Sequence, residues 1–259
     1  MQAERLLIKK KYRGVSLDGF DLKMLAILFM LLDHFAWIYL DSNTLLGQSL
    51  HFFGRLTAPI MCFFIVEGFF HSNNIKKYAF RLTLFALLSQ IPFTLITYSF
   101  TKIMHDPLLI LSKGNVLFNL LLALLSLIIF HAKFENITKL IAIACLLGIS
   151  TFFDWGIFLI CFCLVLAYYR DDRKRQAIAY LLVAMGLLLI VDLGLSNALP
   201  ILILSWFPIG ILLAPVLWIS YNGERGKSFG GKYFFYIFYP LHLIILATVA
   251  DFYGFRITT

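Results

Sequence analysis

The chain has 259 residues, of which 61% are hydrophobic and only 14% carry a charge, and its mean hydropathy is +0.88. A soluble domain is about half apolar and about a quarter charged, so this composition excludes an ordinary soluble protein and predicts a polytopic membrane protein. The net charge of +8 is spread between apolar runs, which argues against a nucleic-acid-binding surface.

The beginning of the chain is basic and lacks an apolar core, so it does not resemble a cleavable signal peptide. We expect residues 1–21 to form a cytoplasmic segment lying on an anionic membrane surface. No long polar stretch follows, and residues 22–259 are therefore predicted to form one transmembrane domain. All four cysteines fall in apolar segments, which predicts buried thiols and no metal site.

Nine apolar stretches are candidates for membrane spans, because a span needs about 20 mostly apolar residues. The predicted spans are residues 22–40, 56–70, 79–100, 116–130, 137–153, 156–169, 177–195, 199–221 and 234–250. The fifth and sixth stretches have a second interpretation as a re-entrant pair around Asp154.

The distribution of basic residues predicts the orientation of the spans. With the N-terminus inside, only four of the 22 Lys and Arg residues fall outside, namely Arg55, Lys102, Lys113 and Arg256. The positive-inside rule thus favours an all-α protein with nine transmembrane helices, a cytoplasmic N-terminus and an external C-terminus. Loss of both weak spans would give seven with the same orientation.

Ionisable residues inside predicted spans mark the candidate site, because a charge in the bilayer is costly and usually functional. Asp33 and His34 lie in the first span and His242 lies in the last. Neighbouring helix residues diverge by about 100°, so Asp33 and His34 cannot form a dyad with each other. We interpret His34 as a general base and Asp33 as an orienting carboxylate. A purely structural polar pair is the alternative.

Polar residues of the second span extend this candidate site. Arg55 opens the span from the outside and could pair with Asp33 or Asp154, hold an oxyanion, or simply reach the interface. Glu67 and His71 lie one turn apart at the cytoplasmic edge, where interfacial solvation explains them as well as function does.

Later segments contribute further candidates. Asn115 begins the fourth span and either caps its helix or faces the site, and Asp154 forms a turn on the same side as His34. Pro240 predicts a kink that would aim His242 into a cavity, and Tyr239 precedes this proline. A structural histidine is the alternative.

A glycine-rich loop near residue 225 superficially resembles a phosphate-binding loop. It lacks the first glycine and the preceding strand of a Walker A motif, so that interpretation fails. Arg225, Lys227 and Lys232 could still contact phosphates from the cytoplasm, or they could serve only as a topology signal.

Several of these residues, in this order, resemble the TraX family, which is named for an enzyme that acetylates the N-terminus of F-type pilin. The matching elements are Asp33-His34, Gly54-Arg55 through Pro59, Glu67-Gly68 to His71, Lys76-Lys77-Tyr78, Asn115, Asp154-Trp155-Gly156 and Tyr239-Pro240-Leu241-His242. The similarity covers residues 22–246. One departure is Trp155, where we expect tyrosine more often.

The resemblance implies a membrane-embedded acyltransferase in a bacterial inner membrane. Its donor would be acetyl-CoA or another acyl-CoA, and its acceptor an amine or hydroxyl of a protein, peptide or glycan. Catalysis would involve His34, Asp33, Arg55 and His242, with a direct transfer or an acyl-His34 intermediate both open. The other candidates would bind substrate: Glu67, His71, Asn115, Asp154, Tyr239, Arg225, Lys227 and Lys232. Membrane lipids would be its other partners.

Two further functional classes use the same residues. A proton-coupled transporter or flippase would relay protons through the intramembrane Asp, His and Glu side chains. The absence of a visible inverted repeat in the hydropathy pattern weakens this interpretation. The third class is an assembly factor without catalytic activity.

Overall fold

The computed structural model describes residues 16–195, 205–227 and 233–254. Apart from two isolated β-bridges, regular structure within these ranges is helical. The α-helices are α1 (Gly19–Tyr39), α2 (Leu45–Gly54), α3 (Thr57–His71), α4 (Ile75–Thr97), α5 (Phe100–His105), α6 (Val116–His131), α7 (Asn136–Ser150), α8 (Phe158–Tyr168), α9 (Arg173–Leu195), α10 (Ala214–Ile219) and α11 (Phe234–Tyr253). Short 3₁₀ helices cover Pro107–Leu111 and Phe207–Leu213.

Five described helical segments are long and apolar enough to cross a membrane. They are Gly19–Tyr39, Leu45–His71, Ile75–Thr97, Arg173–Val191 and Phe234–Tyr253. Shorter apolar helices, Val116–His131, Asn136–Ser150, Phe158–Tyr168 and Phe207–Ile219, occupy the remaining predicted spans. The all-helical membrane architecture is confirmed, whereas the number nine and the orientation stay predictions. The segment 1–15, residues 199–204 of the eighth span and Lys232 lie outside the described residues.

The second predicted span differs most from the structure. It was expected to begin at residue 56, but helix begins at Leu45 and is interrupted only around Arg55 and Leu56. Thr44 starts α2 by accepting a hydrogen bond from the Gly47 amide through its side chain. Hydropathy did not predict α2, because this helix contains the polar residues Gln48, Ser49 and His51.

The helices around the candidate site are capped by polar side chains. Asp18 and Asp21 form a reciprocal capping box at the start of α1. Asn115 caps α6 through a hydrogen bond from the Leu117 amide to its side-chain oxygen. These caps fix where α1 and α6 begin, and therefore where their inward-facing residues lie.

Helix α1 lies beside α2, α3 and α11, and α11 also packs on α4. Helix α6 contacts α3, α4 and α8, and these helices bury an apolar core that includes Phe63, Leu124, Leu127 and Phe162. Helix α7 packs mainly on α6, and Ser150 is its one buried residue, which leaves an apolar outer face suited to lipid. The polar residues of interest thus lie on the inner faces of α1, α2, α3 and α11.

Candidate functional site

A cavity of about 920 Å³ follows α1 through the helix bundle. It is lined by Gly19, Lys23, Met30, His34 and Trp37, among other residues. These positions recur at helical spacing, so they share one face of α1. The rise from Gly19 to Trp37 is about 27 Å at 1.5 Å per residue, close to the thickness of a bilayer's hydrocarbon core. The cavity thus has a Gly19 end and a Trp37 end.

Two histidines from opposite ends of the sequence meet at the Trp37 end. His34 Nδ1 and His242 Nε2 are 2.8 Å apart, and His242 Nδ1 lies 2.8 Å from the carbonyl oxygen of Phe238. A carbonyl oxygen only accepts, so His242 Nδ1 carries the proton and its Nε2 accepts from His34 Nδ1–H when both rings are neutral. His34 Nε2 is then left with a free lone pair.

Asp33 points away from His34, as their adjacency on a helix predicts. Its carboxylate accepts a hydrogen bond from His51 Nδ1 at 2.8 Å and two from Arg55 Nη2 at 3.1 and 3.2 Å. Gly54 makes room for this carboxylate, because a Cβ there would collide with the Asp33 side chain. Asp33 therefore joins α1 to the end of α2 through a buried ionic network.

Arg55 lies between Asp33 and two aromatic rings. Its guanidinium carbon is 5.0 Å from the Trp155 ring centre and 5.3 Å from that of Phe207. Its Nε atom is buried and has no hydrogen-bond partner among the described residues. Arg55 is also among the residues that line the cavity.

The loop that carries Trp155 is held in an unusual conformation. Trp155 has a φ of 67°, which is uncommon for a bulky residue, and Gly156 follows at 47°. Asn119 donates hydrogen bonds of 2.7 Å to the carbonyl oxygens of both Asp154 and Gly156. Lys113 Nζ lies 3.0 Å from the Asp154 carboxylate, so Asp154 pairs with Lys113 and not with Arg55.

The remaining predicted residues divide between the site and structural roles. Tyr239 lines the cavity near His34, and its buried hydroxyl lies beside the backbone of Val116. Asn115 caps α6 and bonds to Ala86 and Gln90, which supports the capping interpretation. Asn115 is not among the residues that line the cavity.

The Gly19 end of the cavity is rich in basic side chains. Lys23, Arg81, Arg225 and Lys227 all line it, and Lys23 Nζ lies 4.8 Å from the Phe64 ring centre. The glycine-rich loop reaches this end because Gly19 donates its amide to the Glu224 carbonyl oxygen at 2.8 Å. The sequence left open whether the loop contacts a ligand, and its two described basic residues do face the cavity.

Glu67 and His71 also line the Gly19 end. The Glu67 carboxylate accepts two hydrogen bonds from Arg170, at 3.1 and 3.2 Å, which largely neutralises its charge. His71 Nδ1 donates to the Glu67 carbonyl oxygen at 2.9 Å, and its side chain is 68% exposed. Glu67 lies ten residues after the start of α3, which is a rise of about 15 Å away from the end that carries Arg55. Glu67 and His71 are therefore separated from the histidine pair along the bundle.

The structure brings together His34, His242, Asp33, Arg55 and Tyr239, with Asp154 nearby on the cavity wall. Sequence reasoning missed His51 and Asn119. His51 lies one turn before Arg55, which could have indicated a shared face. Asn119 lies four residues after Asn115, and its polarity inside a predicted span was a signal of the same kind.

Comparison with known proteins identifies the family to which this site belongs. A family model described as "TraX protein" matches residues 19–250. The chain belongs to the TraX family. It is 45% identical over 241 residues to "Probable fimbrial assembly protein FimC, serogroup H1" of Dichelobacter nodosus, an alignment that covers 93% of this chain and 98% of that protein. No solved structure shows a significant match.

Proposed function

We propose that this TraX-family protein is a membrane-embedded acyltransferase that moves an acetyl or other acyl group from cytoplasmic acyl-CoA to an acceptor amine or hydroxyl on the far side. The observation that carries the proposal is the cavity. It connects a basic end, suited to the polyanionic nucleotide of CoA, with an end that holds a histidine lone pair.

The spacing along α1 supports a pantetheine arm in this cavity. Lys23 and His34 are eleven positions apart on α1, which corresponds to a rise of about 16 Å. The pantetheine chain has about 13 bonds between its sulfur and the nearest phosphorus, or about 16 Å at backbone-like reach. A thioester carbonyl beside His34 would therefore leave the diphosphate at the level of Lys23 and Arg225.

The proposed chemistry follows from the hydrogen bonds. His34 Nε2 removes a proton from the acceptor, whose nitrogen or oxygen attacks the thioester carbonyl. The guanidinium of Arg55 and the Tyr239 hydroxyl would stabilise the oxyanion that forms. The C–S bond then breaks, and the proton on His34 passes to the leaving thiolate of CoA. His242 acts as a positioning residue, since both of its ring nitrogens are already engaged.

The cellular setting is inferred from the orientation and from the relative. With the Gly19 end cytoplasmic, the protein would be a multi-pass component of a bacterial inner membrane, and the Trp37 end would face outward. The printed name of the D. nodosus protein, a fimbrial assembly protein, favours a protein acceptor that is handled during fimbrial assembly. A peptide or glycan at the outer face is the other class of acceptor.

Radiolabelled acetyl-CoA tests this proposal on protein reconstituted in lipid vesicles. We expect the wild type to release free CoA or to acquire label, and His34→Ala to lose this activity. His105→Ala is the matched control, because His105 is exposed at the end of α5 and does not line the cavity. If the wild type neither turns over nor binds acetyl-CoA, the proposal fails and proton-coupled transport becomes the better interpretation.

A further inference from the structure

A second chain of polar side chains leads from Asp33 away from the cavity. His51 Nδ1 lies 2.8 Å from Asp33 Oδ1, and His51 Nε2 lies 3.3 Å from Ser42 Oγ. The His51 side chain is fully buried. Trp37 and Phe207 pack against the imidazole, with ring centres 4.5 and 5.2 Å away.

The protonation of this chain follows from the chemistry of its members. A carboxylate only accepts hydrogen bonds, so His51 Nδ1 must carry a proton. In the neutral ring, Nε2 then presents its lone pair to the Ser42 hydroxyl. Arg55 keeps Asp33 ionised through two hydrogen bonds, so the carboxylate can stabilise an imidazolium. These are the roles that define a serine nucleophile with its base and its orienting acid.

Ser42 lies where a substrate could reach it without entering the cavity. The turn from Asp41 to Thr44 is closed by a hydrogen bond of 3.1 Å and places Ser42 just before α2. Ser42 is partly exposed and does not line the cavity. Beyond the turn, Leu45 and Leu46 are 77% and 58% exposed and form an apolar surface at the Trp37 end.

We propose that Ser42, His51 and Asp33 form a second catalytic site, which acylates Ser42 from an uncharged carboxylic ester. Ser42 Oγ adds to the ester carbonyl while His51 Nε2 takes the hydroxyl proton. The C–O bond to the leaving alkoxide breaks, and His51 returns the proton to the departing alcohol. Water then hydrolyses the acyl-Ser42 ester. The exposed leucines and the carboxylate of Asp41 favour an apolar, uncharged substrate over an anionic one.

A fluorophosphonate probe, which phosphonylates activated serines, tests this site on the full-length protein in membranes. We expect the wild type to be labelled on the peptide that contains Ser42, and Ser42→Ala to lose that label. Ser49→Ala is the matched control and should keep it, because the Ser49 hydroxyl donates only to the Leu45 carbonyl oxygen. His51→Gln should slow labelling by about 10²-fold, as expected for loss of a general base.

The outcomes separate this site from the acyl-CoA site. An unlabelled wild type, or a label retained in Ser42→Ala, overturns the proposal. Unchanged labelling of folded His51→Gln protein does so too, since His51 would then not be the base. The His34→Ala variant should still be labelled at Ser42, because His34 is not part of the second site. If only the acyl-CoA reaction fails, labelling of Ser42 is therefore still expected. Hydrolysis of p-nitrophenyl acetate, lost in Ser42→Ala, is the second expected readout.

Discussion

Gly54 allows α2 to pass directly beside the Asp33 carboxylate, and this contact sets the position of the ion pair with Arg55. Any side chain at residue 54 must push Asp33 away from α2. The consequence reaches both His51 and Arg55, because each is bonded to that same carboxylate. The absence of a side chain at residue 54 therefore sets the positions of Asp33, His51 and Arg55 relative to one another.

Substitution Gly54→Ala is expected to destabilise the protein by about 1–3 kcal/mol, the usual cost of overpacking, and to abolish acetyl-CoA turnover. Gly148→Ala provides the control, since a Cβ there meets nothing within 4 Å and the residue lies in the last turn of α7. That change should leave the stability of the protein unchanged or raise it slightly. Thermal unfolding in detergent and turnover assays on both variants measure these effects. Wild-type turnover by Gly54→Ala would contradict the argument.

Substitutions of His242 test whether its hydrogen bond positions His34. Replacement by phenylalanine keeps a ring stacked on Phe238 but removes the acceptor for His34 Nδ1–H. We expect His242→Phe to lower kcat about 10²-fold with little change in KM, because His34 loses its tautomer and its orientation. His242→Gln, which retains an accepting oxygen, should recover part of the loss. Equal and unchanged kcat values in both variants would exclude a positioning role.

For individual residues, the sequence predicted which side chains belong to the site better than it predicted which side chains they contact. The cost of charge in a bilayer pointed to Asp33, His34 and His242. It could not predict that His34 meets His242, because 208 positions separate them and only the packing of α1 against α11 brings them together. His51 escaped notice because hydropathy placed it in a loop between two spans.

The short loop between α7 and α8 shows how an element positions a distant side chain. Asn119 on α6 bonds two carbonyl oxygens of this loop and so maintains the positive φ of Trp155. Trp155 in turn contacts the guanidinium of Arg55. A residue on a core helix thus supports the site through a loop that it does not belong to.

Asn119→Ala should cost about 1–3 kcal/mol, because two partly buried carbonyl groups lose their donor. It should also reduce turnover, since Trp155 would no longer hold Arg55. Asn136→Ala is the control, because Asn136 is exposed at the start of α7 and far from this loop. Urea or thermal unfolding reports the first effect and acetyl-CoA turnover the second. Equal stability of the two variants would show that Asn119 does not support the loop.

Element boundaries were predictable where caps and hydropathy agreed. Asn115 precedes an apolar run, and α6 begins directly after it. The first helix, in contrast, begins at Gly19, three residues before the predicted span. The interruption between α2 and α3 was not predictable in the same way. Hydropathy placed the start of the second span at residue 56, but the chain continues from α2 with only a local irregularity before Thr57. The polar side chains His51 and Arg55 are tolerated there because both form hydrogen bonds with the Asp33 carboxylate.

For the whole molecule, the positive-inside rule and nine spans together predict an external C-terminus. Alkaline phosphatase fused after residue 259 should be active in a bacterial host, whereas a fluorescent protein that folds only in the cytoplasm should be dark. A fusion in the loop after α6, near residue 133, should show the opposite pattern. A dark phosphatase fusion at the C-terminus would require an even number of spans.

The basic Gly19 end gives a second prediction at this scale. Combined Arg225→Gln and Lys227→Gln substitutions should raise KM for acetyl-CoA several-fold at low salt, with a smaller effect at high salt because of screening. KM for acetyl-pantetheine, which lacks the nucleotide, should not change. Lys133→Gln is the control, since Lys133 is exposed and does not line the cavity. Equal effects on both thioesters would argue against nucleotide binding at this end.

The cavity also separates the proposed binding site of the CoA phosphates from the proposed site of acyl transfer. In the proposed reaction the phosphates of CoA remain at the Gly19 end, and only the uncharged pantetheine arm and acyl group extend along α1. Moving one elementary charge through a full membrane potential would involve about 2.3 kcal/mol per 100 mV. An uncharged arm avoids this free-energy contribution, so no charge of the donor moves through the membrane potential during the transfer. Ionophores that collapse the membrane potential should therefore leave its rate unchanged, and the thioester alone would supply the driving force.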